Sequence, residues 1–198
     1  EIYKMERANY PDIMVDIETT GLQPQASAII QIGSVPFNYE TGQIDTENMF
    51  CMSLTMPKNR YWNSGTDKFW LQDNREVYMK IMSQAQNYRA VITAYYDWVT
   101  QRIAATEEGD VRWWSKGWMD HATVESYFID AGYDMPFNFR QAKDMRSFIA
   151  GLNGDPVYRD PEVETVGDHH NALHDSLTQL RQLFKAKEET CQSVVTSD

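Results

Sequence analysis

An apolar stretch near the N-terminus carries two acids and then ends at a glycine. Residues 12–21 read DIMVDIETTG, with Asp16 and Glu18 two positions apart. Because successive side chains of a β-strand point to opposite faces, this spacing puts both carboxylates on one face, at the carboxyl end of the strand. Two carboxylates that close resist ionisation unless a cation lies between them. The stretch therefore predicts a divalent-metal site built on the first strand of a sheet.

Two more strands are predicted directly after this stretch. Residues 28–37 form a largely apolar run, and 44–54 are a plausible third strand. The polar segment between them, 39–43, contains a glycine and fits a hairpin connection. The opening of the chain is therefore predicted to be an antiparallel three-stranded meander.

Helices alternate with short strands in the rest of the chain. Apolar residues at spacings of three and four, and breaker residues between them, predict the following order: an irregular segment at 56–72, a helix at 88–103, a loop at 106–110, a strand at 111–115, a helix at 120–131, a strand and helix within 138–149, an exposed loop at 151–168 and a helix at 168–187. Strands first, followed by alternating strands and helices, indicate an α/β domain with a mixed sheet.

Bulk properties restrict the class of protein. The 198 residues, 42% of them hydrophobic, are enough for one well-buried core. No stretch approaches the roughly 20 consecutive apolar residues of a membrane span, and no signal peptide is visible. The cysteines Cys51 and Cys191 are far apart in sequence, which favours a reduced, cytoplasmic protein over a disulfide.

Net charge bears on the possible substrates. The formal charge of −11 argues against a broad basic surface for nucleic acid. An acidic enzyme can still act on nucleic acid if bound metal ions and a few clustered Lys and Arg residues supply local positive charge.

Three of the four histidines lie in one segment with an acid, residues 168–175 (DHHNALHD). With the apolar stripe of the last helix facing the core, Asp175 emerges at its flank, and His170 lies near the helix start. This arrangement suits a base beside a metal ligand better than two ligands of one ion. His170 and His174 also have the spacing of helical zinc ligands, so a zinc site is an alternative.

Three segments, in chain order, resemble the motifs of the DnaQ-like 3′–5′ exonucleases, which have a ribonuclease H-like fold. Residues 16–21 (DIETTG) resemble the first motif, and 114–121 (WSKGWMDH) resemble the second, in which an Asp begins a helix after a strand. Residues 170–175 (HNALHD) match His-x-Ala-x-x-Asp, the third motif of the DEDDh subclass with a catalytic histidine. The resemblance covers residues 12–184.

Within that subclass the chain is most similar to the exonuclease A (DexA) group of T-even phages and its bacterial relatives. The segments that carry this similarity are 115–118 (SKGW), 140–147 (RQAKDMRS) and the histidine before Asp175. The second motif departs from the family at Met119, where an aromatic residue is usual. This departure leaves Asp130 and Asp134 as alternatives to Asp120.

The resemblance implies a fold and a domain organisation. The fold is α/β and ribonuclease H-like, with a mixed five-stranded sheet, an antiparallel meander and then parallel strands, flanked by helices. Residues 1–188 would form a single exonuclease domain, and 189–198 a flexible tail.

The resemblance also implies the site residues. Two divalent ions, Mg²⁺ or Mn²⁺, would be held by four carboxylates, those of Asp16, Glu18, Asp120 and Asp175. His170 would be the general base that takes a proton from the attacking water. The 3′ nucleotide would meet the backbone of the turn formed by Thr19, Thr20 and Gly21. Independently of the resemblance, Trp70 and Trp62 could stack on bases. For Trp70, packing against the sheet is an equally weighted alternative to base stacking.

The implied function is a metal-dependent 3′–5′ exonuclease that releases nucleoside 5′-monophosphates from DNA, from single strands or duplex 3′ ends, in a bacterial or phage-infected host cell. Related members act on RNA, so an exoribonuclease acting on RNA 3′ overhangs is the main alternative. Two further alternatives are an inactive nucleic-acid-binding protein of the same fold and a zinc-dependent hydrolase.

Overall fold

The computed structural model describes residues 9–106 and 111–195. The strands are β1 (Asp12–Thr19), β2 (Ile29–Asn38), β3 (Gln43–Ile44), β4 (Phe50–Ser53), β5 (Arg112–Ser115) and β6 (Ala142–Asp144). The helices are α1 (Ser64–Lys68), a π-helical turn (Phe69–Asp73), α2 (Arg75–Ser83), α3 (Tyr88–Ala105), α4 (Trp118–Asp130), α5 (Met145–Asn153) and α6 (Ala172–Val195).

The strands form one mixed sheet. Its path is β3-β2-β1-β5-β6, with β4 also paired to β2. β1 is antiparallel to β2 and parallel to β5, and β5 is parallel to β6. The predicted mixed α/β sheet is confirmed: five strands lie on this path, and β4 is a sixth strand of the sheet. The strand predicted at 44–54 is instead two short strands, β3 and β4, which pair with different parts of β2.

Helices cover both faces of the sheet. The odd-numbered apolar residues of β1, such as Ile13 and Val15, are buried against α3 and α4. The even-numbered Met14 is buried on the other face, with residues of α5 and α6. Because side chains alternate along a strand, Asp16 and Glu18 share the face of Met14 and point toward α6.

The predicted elements differ from the observed ones mainly at their ends. The segment at 56–72 is not wholly irregular, since it contains α1 and part of the π-helical turn. The last helix begins at Ala172 rather than 168 and continues to Val195, beyond its predicted end at 187. Most of the loop predicted at 106–110, and the last residues of the predicted tail, lie outside the described residues; the flexibility of 189–198 stays a prediction.

Two further predictions concern the whole chain. Among the described residues, no helix has both the length and the apolar character that crossing a membrane requires. Cys51 and Cys191 are both free and exposed.

Candidate active site

The carboxyl end of β1 lies among four carboxylates from three elements. Asp16 and Glu18 come from the strand, Asp120 from the first turn of α4 and Asp175 from the first turn of α6. Burial, together with the neighbouring carboxylates Asp120, Glu18 and Asp175, raises the pKa of Asp16 well above its usual range. Burial and the charges of Asp175 and Asp120 raise the pKa of Glu18 in the same way. The strand, α4 and α6 therefore converge on one strongly acidic site.

Asp120 is oriented by the turn between β5 and α4. Gly117, at the end of that turn, has a φ of +118°, a conformation that residues with a Cβ rarely adopt. Burial raises the pKa of Asp120 to about 7, although the nearby backbone N–H groups of Asp120 and Ile17 and the charge of Arg146 oppose the rise. Met119 in place of an aromatic residue does not divert Asp120 from the site.

Asp130, one of the two alternatives to Asp120, has a different partner. Asp130 lies at the last residue of α4, at the opposite end of the helix from Asp120. Its carboxylate accepts a hydrogen bond of 2.7 Å from Arg60. Arg60 is 4% exposed, so this ion pair is structural.

His170 lies immediately before α6, in a left-handed backbone conformation with φ +59°. Its backbone N–H donates to Asp175 Oδ2 at 3.1 Å. One donor atom each of Glu18, His170 and Asp175 lie within 4.8 Å of one another. The structure thus places the imidazole beside two of the carboxylates, close enough to act on a water molecule between them or to reach a metal ion.

Two aromatic side chains support the His170 ring. Phe69 and Trp70 meet it edge to face, with ring centroids 4.8 and 6.2 Å away. Trp70 is 1% exposed, and its Nε1–H donates to the carbonyl oxygen of Thr19 at 2.7 Å. Of the two roles considered for Trp70, packing matches this geometry, because a base cannot stack on a buried ring. The tryptophan connects the end of β1 to the histidine.

The turn after β1 is held by internal contacts. Thr20 is fully buried, and its Oγ1 donates to Tyr61 and accepts from the N–H of Ala28. A Cβ at Gly21 would lie 2.6 Å from Ser27 Oγ, so only glycine fits there. Thr19 Oγ1 donates to the Gly21 carbonyl at 2.7 Å, so the hydroxyls of Thr19 and Thr20 are both occupied within the fold.

The N-terminal end of α6 is docked on β2 by contacts that the sequence analysis did not include. Gln31 Oε1 accepts from the N–H of Ala172 at 2.9 Å. A Cβ at Gly33 would lie 2.2 Å from the Ala172 carbonyl carbon, so the helix approaches the strand more closely than any side chain would allow. One turn after Asp175, Gln179 Nε2 donates to Asp16 Oδ1 at 2.7 Å. The pattern of one strand or helix alone does not reveal these contacts, because each joins two elements.

Among the described residues, His170 is the only histidine in the metal-ligating cluster at the acidic site. His121 is packed against Trp113, with ring centroids 4.3 Å apart, and burial lowers its pKa to about 4. His174 Nδ1 accepts from the N–H of Asp168 at 2.9 Å. The described residues contain no metal-ligating cluster that includes both His170 and His174, as the zinc alternative requires. His170 clusters instead with Glu18 and Asp175.

Two exposed apolar side chains flank the acidic site and were not selected from the sequence. Leu22, next to the turn, is 70% exposed, and Trp118, two residues before Asp120, is 68% exposed. Both line a surface groove of about 570 Å³. Large exposed apolar side chains beside a polar site commonly mark a binding surface.

The acidic cluster fits divalent cations. Asp175, like the other three carboxylates, has a raised pKa, because burial outweighs the nearby histidines and the His170 N–H. Among the described residues, the only lysine or arginine whose charge lowers the pKa of one of the four is Arg146, at Asp120. Mg²⁺ and Mn²⁺ prefer such oxygen ligands, supplemented by water and phosphate oxygens.

Several solved structures have a similar fold at low sequence identity. Cell-death related nuclease 4 (CRN-4) is 17% identical, with a TM-score of 0.64, and the match covers 90% of this chain and 64% of CRN-4. Pop2p of S. pombe, in its Mg²⁺- and Mn²⁺-bound form, is 14% identical, with a TM-score of 0.62 and coverages of 90% and 83%. The zinc-bound complex of E. coli exonuclease I with single-stranded DNA is 13% identical, with a TM-score of 0.64 and coverages of 93% and 42%. The chain thus spans less than half of exonuclease I. At these identities the matches show the fold.

A family model supplies what the structural matches do not. A search of curated proteins found no significant match. The model described as the 3′–5′ exoribonuclease Rv2179c-like domain matches residues 11–185, nearly the whole described chain. None of the matches supports the narrower resemblance to the phage exonuclease A group. The predicted 3′–5′ exonuclease is confirmed, and the chain belongs to the Rv2179c-like 3′–5′ exoribonuclease domain family.

Proposed function

We propose that this protein is a metal-dependent exoribonuclease that removes nucleoside 5′-monophosphates from the 3′ end of RNA. The observation that carries the proposal is the convergence of four carboxylates and one histidine at the end of β1. The choice of RNA rests on the family description. DNA was the first expectation from the sequence, but it came from the resemblance to the phage group, which the comparisons leave without support.

Asp16, Glu18, Asp120 and Asp175 would hold two divalent ions, as the Mg²⁺- and Mn²⁺-bound form of Pop2p suggests for a chain of this fold. Such a pair of ions stabilises the attacking and leaving oxygens of an in-line displacement at phosphorus. The chain's own contribution is the placement of the ligands. Gln179 fixes Asp16, and the His170 N–H fixes Asp175.

His170 would accept the proton of the attacking water. Histidine is the residue that most often serves as a general base, because a ring nitrogen that carries no proton can accept one. Phe69 and Trp70 contact the His170 ring and restrict its movement. The hydrogen bond from the His170 N–H to Asp175 fixes the backbone of the residue. These contacts hold the imidazole at the edge of the carboxylate cluster, where a water molecule bound by the cluster would lie.

The 3′ end of a single strand would enter beside the turn of residues 19–21. The side chains available to its bases are Leu22 and Trp118, which are exposed and both line the groove. Stacking on an aromatic ring tolerates any base, so it suits an exonuclease that must accept every 3′ nucleotide in turn. Trp70 is buried and contacts Thr19 and the His170 ring, so its role is to support the site and not to stack on a base.

Parallel digestion of matched RNA and DNA oligonucleotides tests the proposed substrate. Each sequence would be supplied as a single strand and as a duplex with a 3′ overhang, with Mg²⁺ or Mn²⁺. We expect RNA to be shortened at least about tenfold faster than DNA, a transition-state difference of about 1.4 kcal/mol. Equal or faster digestion of DNA would contradict RNA as the substrate. Binding of RNA or DNA strands without digestion would favour the inactive binding protein. The Glu18→Gln protein, assayed in parallel, controls for contaminating nucleases.

A further inference from the structure

A segment of irregular backbone lies along α6 on its way to the active site. Between α5 and His170, residues 154–168 are fastened to the helix by its polar side chains. Lys185 Nζ donates to the carbonyl of Glu162 at 2.6 Å, Arg181 Nη1 to that of Glu164 at 2.9 Å, and the Val166 N–H to Thr178 Oγ1 at 2.9 Å. We call residues 154–168 the strap.

The strap places one carboxylate against a lysine at the end of β5. Lys116 Nζ lies 2.8 Å from Asp160 Oδ1, and the Tyr158 hydroxyl donates to the same oxygen. Burial opposes ionisation of Asp160, but these two hydrogen bonds and the charges of Lys116 and Arg146 lower its pKa. Asp160 is thus a fixed anion, about half exposed, bound in a basic corner.

Arg146 is the second cation of that corner. Its guanidinium carbon lies 5.9 Å from the centre of the Tyr158 ring, and Nη1 lies 3.5 Å from where a Gly117 Cβ would be. In the part of the chain that the structure describes, no carboxylate is within ion-pair distance of this guanidinium. Since Arg146 is exposed, its side chain can meet an anion arriving from solution.

The corner adjoins the metal-binding carboxylates. Lys116 follows β5, and Arg146 is in the first turn of α5, directly after β6; Ser115 pairs with Asp144 in parallel register, so the two cations extend from neighbouring strand ends. Ligands of open α/β sheets bind outside the carboxyl ends of parallel strands. On one side, Arg146 is close enough to lower the pKa of Asp120. On the other, Lys116 Nζ donates to Gln182, one helical turn beyond the Gln179 that holds Asp16.

The positive charges of Lys116 and Arg146 lie where a bound polynucleotide would need cations. The protein has a formal net charge of −11, and a polynucleotide that reaches four carboxylates brings more negative charge with it. Bound metal ions can neutralise the carboxylates and the scissile phosphate, but the next phosphates of the strand need other cations. Lys116 and Arg146 are a pair of cations at the border of the site, and one of the two is already bound to an anion with oxygens like those of a phosphate.

We propose that Lys116 and Arg146 bind a non-scissile backbone phosphate of the substrate strand, and that Asp160 of the strap occupies this phosphate site in the free protein and is displaced when the strand binds. Only strands long enough to reach the corner can make this contact, and displacement of the internal carboxylate would reduce the affinity that they gain from it. The proposal rests on the exonuclease function but not on the choice between RNA and DNA, because both have the same phosphodiester.

The salt dependence of binding counts phosphate contacts and so tests Arg146. Binding of a fluorescent single-stranded oligonucleotide would be measured at several salt concentrations with Mg²⁺, in a His170→Ala background that prevents digestion. Each lost phosphate contact should lower the slope of log affinity against log salt by about 0.7. We expect Arg146→Gln to lose about one contact and to weaken binding several-fold for RNA and DNA alike. The matched control is Arg89→Gln, an exposed arginine on α3 across the sheet, with an unchanged slope.

Asp160→Asn tests the displacement. Removal of the competing charge should tighten binding several-fold without changing the oligonucleotide, and addition of Lys116→Gln should cancel the gain. An unchanged slope for Arg146→Gln, or weaker binding by a folded Asp160→Asn protein, would overturn the proposal. Failure of the parent protein to bind any strand would instead contradict the proposed function. Melting temperatures of all variants separate these outcomes from loss of the fold.

Discussion

Asp120 is the carboxylate of the site whose protonation changes in the neutral range. Its pKa in the folded protein is about 7, raised by burial from an ordinary value of 3.8. A group with a raised folded pKa contributes its stability fully below the unfolded pKa and loses it as the pH rises through the folded pKa. In the metal-free protein, this contribution is therefore lost between about pH 4 and pH 7.

The metal-free protein should consequently melt at lower temperature as the pH rises from about 5 to about 8. Asp16 and Glu18, whose pKa values are also raised, contribute in the same direction. Asp120→Asn should flatten this dependence, whereas Asp97→Asn, an exposed control on α3, should not. Saturating Mg²⁺ should restore the wild-type melting temperature at the higher pH, because the ions replace the missing protons. A wild-type melting temperature that rises over this range would contradict the electrostatic description of the site.

His170 has a role that can be separated from metal binding. Loss of a general base typically costs about 10²- to 10⁴-fold in rate. We expect His170→Ala to lose turnover in that range and to bind Mn²⁺ with nearly the wild-type affinity in calorimetry. His169→Ala, at the neighbouring exposed position, should retain activity. A large loss of Mn²⁺ affinity in His170→Ala would contradict this role and identify His170 as a metal ligand. The geometry allows that outcome, because a ligand atom of His170 lies within 4.8 Å of those of Glu18 and Asp175.

At the residue scale, the sequence predicted the residues whose chemistry is unusual in their surroundings. Two acids in an apolar strand and a histidine before an acid are visible without a structure. Gln179 and Gly33 were not visible, since glutamine on a helix and glycine in a strand are ordinary until the partner is known. Their functions depend on Asp16 and on the backbone of Ala172, which are distant in sequence.

At the element scale, the contact between β2 and α6 sets the position of Asp175. A Cβ at position 33 would meet the backbone of Ala172 and Leu173 at 2.2 and 2.3 Å, and backbone cannot move aside as a flexible side chain can. Gly33→Ala should therefore displace the start of α6 and cost about 1–3 kcal/mol of unfolding free energy, as overpacking typically does. Activity should fall further than stability alone explains, because Asp175 and His170 move with the helix.

Gly151→Ala is the matched control for this prediction. Gly151 lies in α5 with nothing within 4 Å of its Cβ position, and its φ is not positive. Alanine there should leave activity unchanged and stabilise the protein by about 0.4–1 kcal/mol. Chemical denaturation and nuclease assays on both variants would check the pair. A Gly33→Ala protein with full stability and full activity would contradict the claim that this contact sets the position of Asp175.

The limits of prediction at this scale follow from tertiary contacts. The apolar stripe of α6 located the helix but not its ends. The helix starts only at Ala172, because His170 adopts a left-handed conformation and the Asn171 side chain accepts from the N–H groups of Leu173 and His174. The strand predicted at 44–54 splits because residues 45–49 leave β2 for a turn around Asp45. Periodicity does not encode either event.

At the scale of the whole molecule, the order of strands and helices was enough to predict a mixed α/β sheet, and motif spacing was enough to predict the enzyme class. The substrate was harder to predict. DNA and RNA share the phosphodiester that the carboxylates and His170 act on, so the site residues do not distinguish them. The family match favours RNA over DNA as the substrate, although it does not alter the set of candidate site residues.

The central claim is that the cluster at the end of β1 removes nucleotides from a 3′ end with divalent metal ions. The most direct test is a time course on a single-stranded RNA labelled at its 5′ end, using protein freed of metal and then supplied with Mn²⁺. The claim predicts a ladder of labelled products that shortens one nucleotide at a time, no reaction in EDTA, and loss of the ladder with Asp16→Asn or a blocked 3′ hydroxyl. Immediate release of short labelled fragments from the 5′ end, internal cuts, or an unchanged ladder from the Asp16→Asn protein would contradict it.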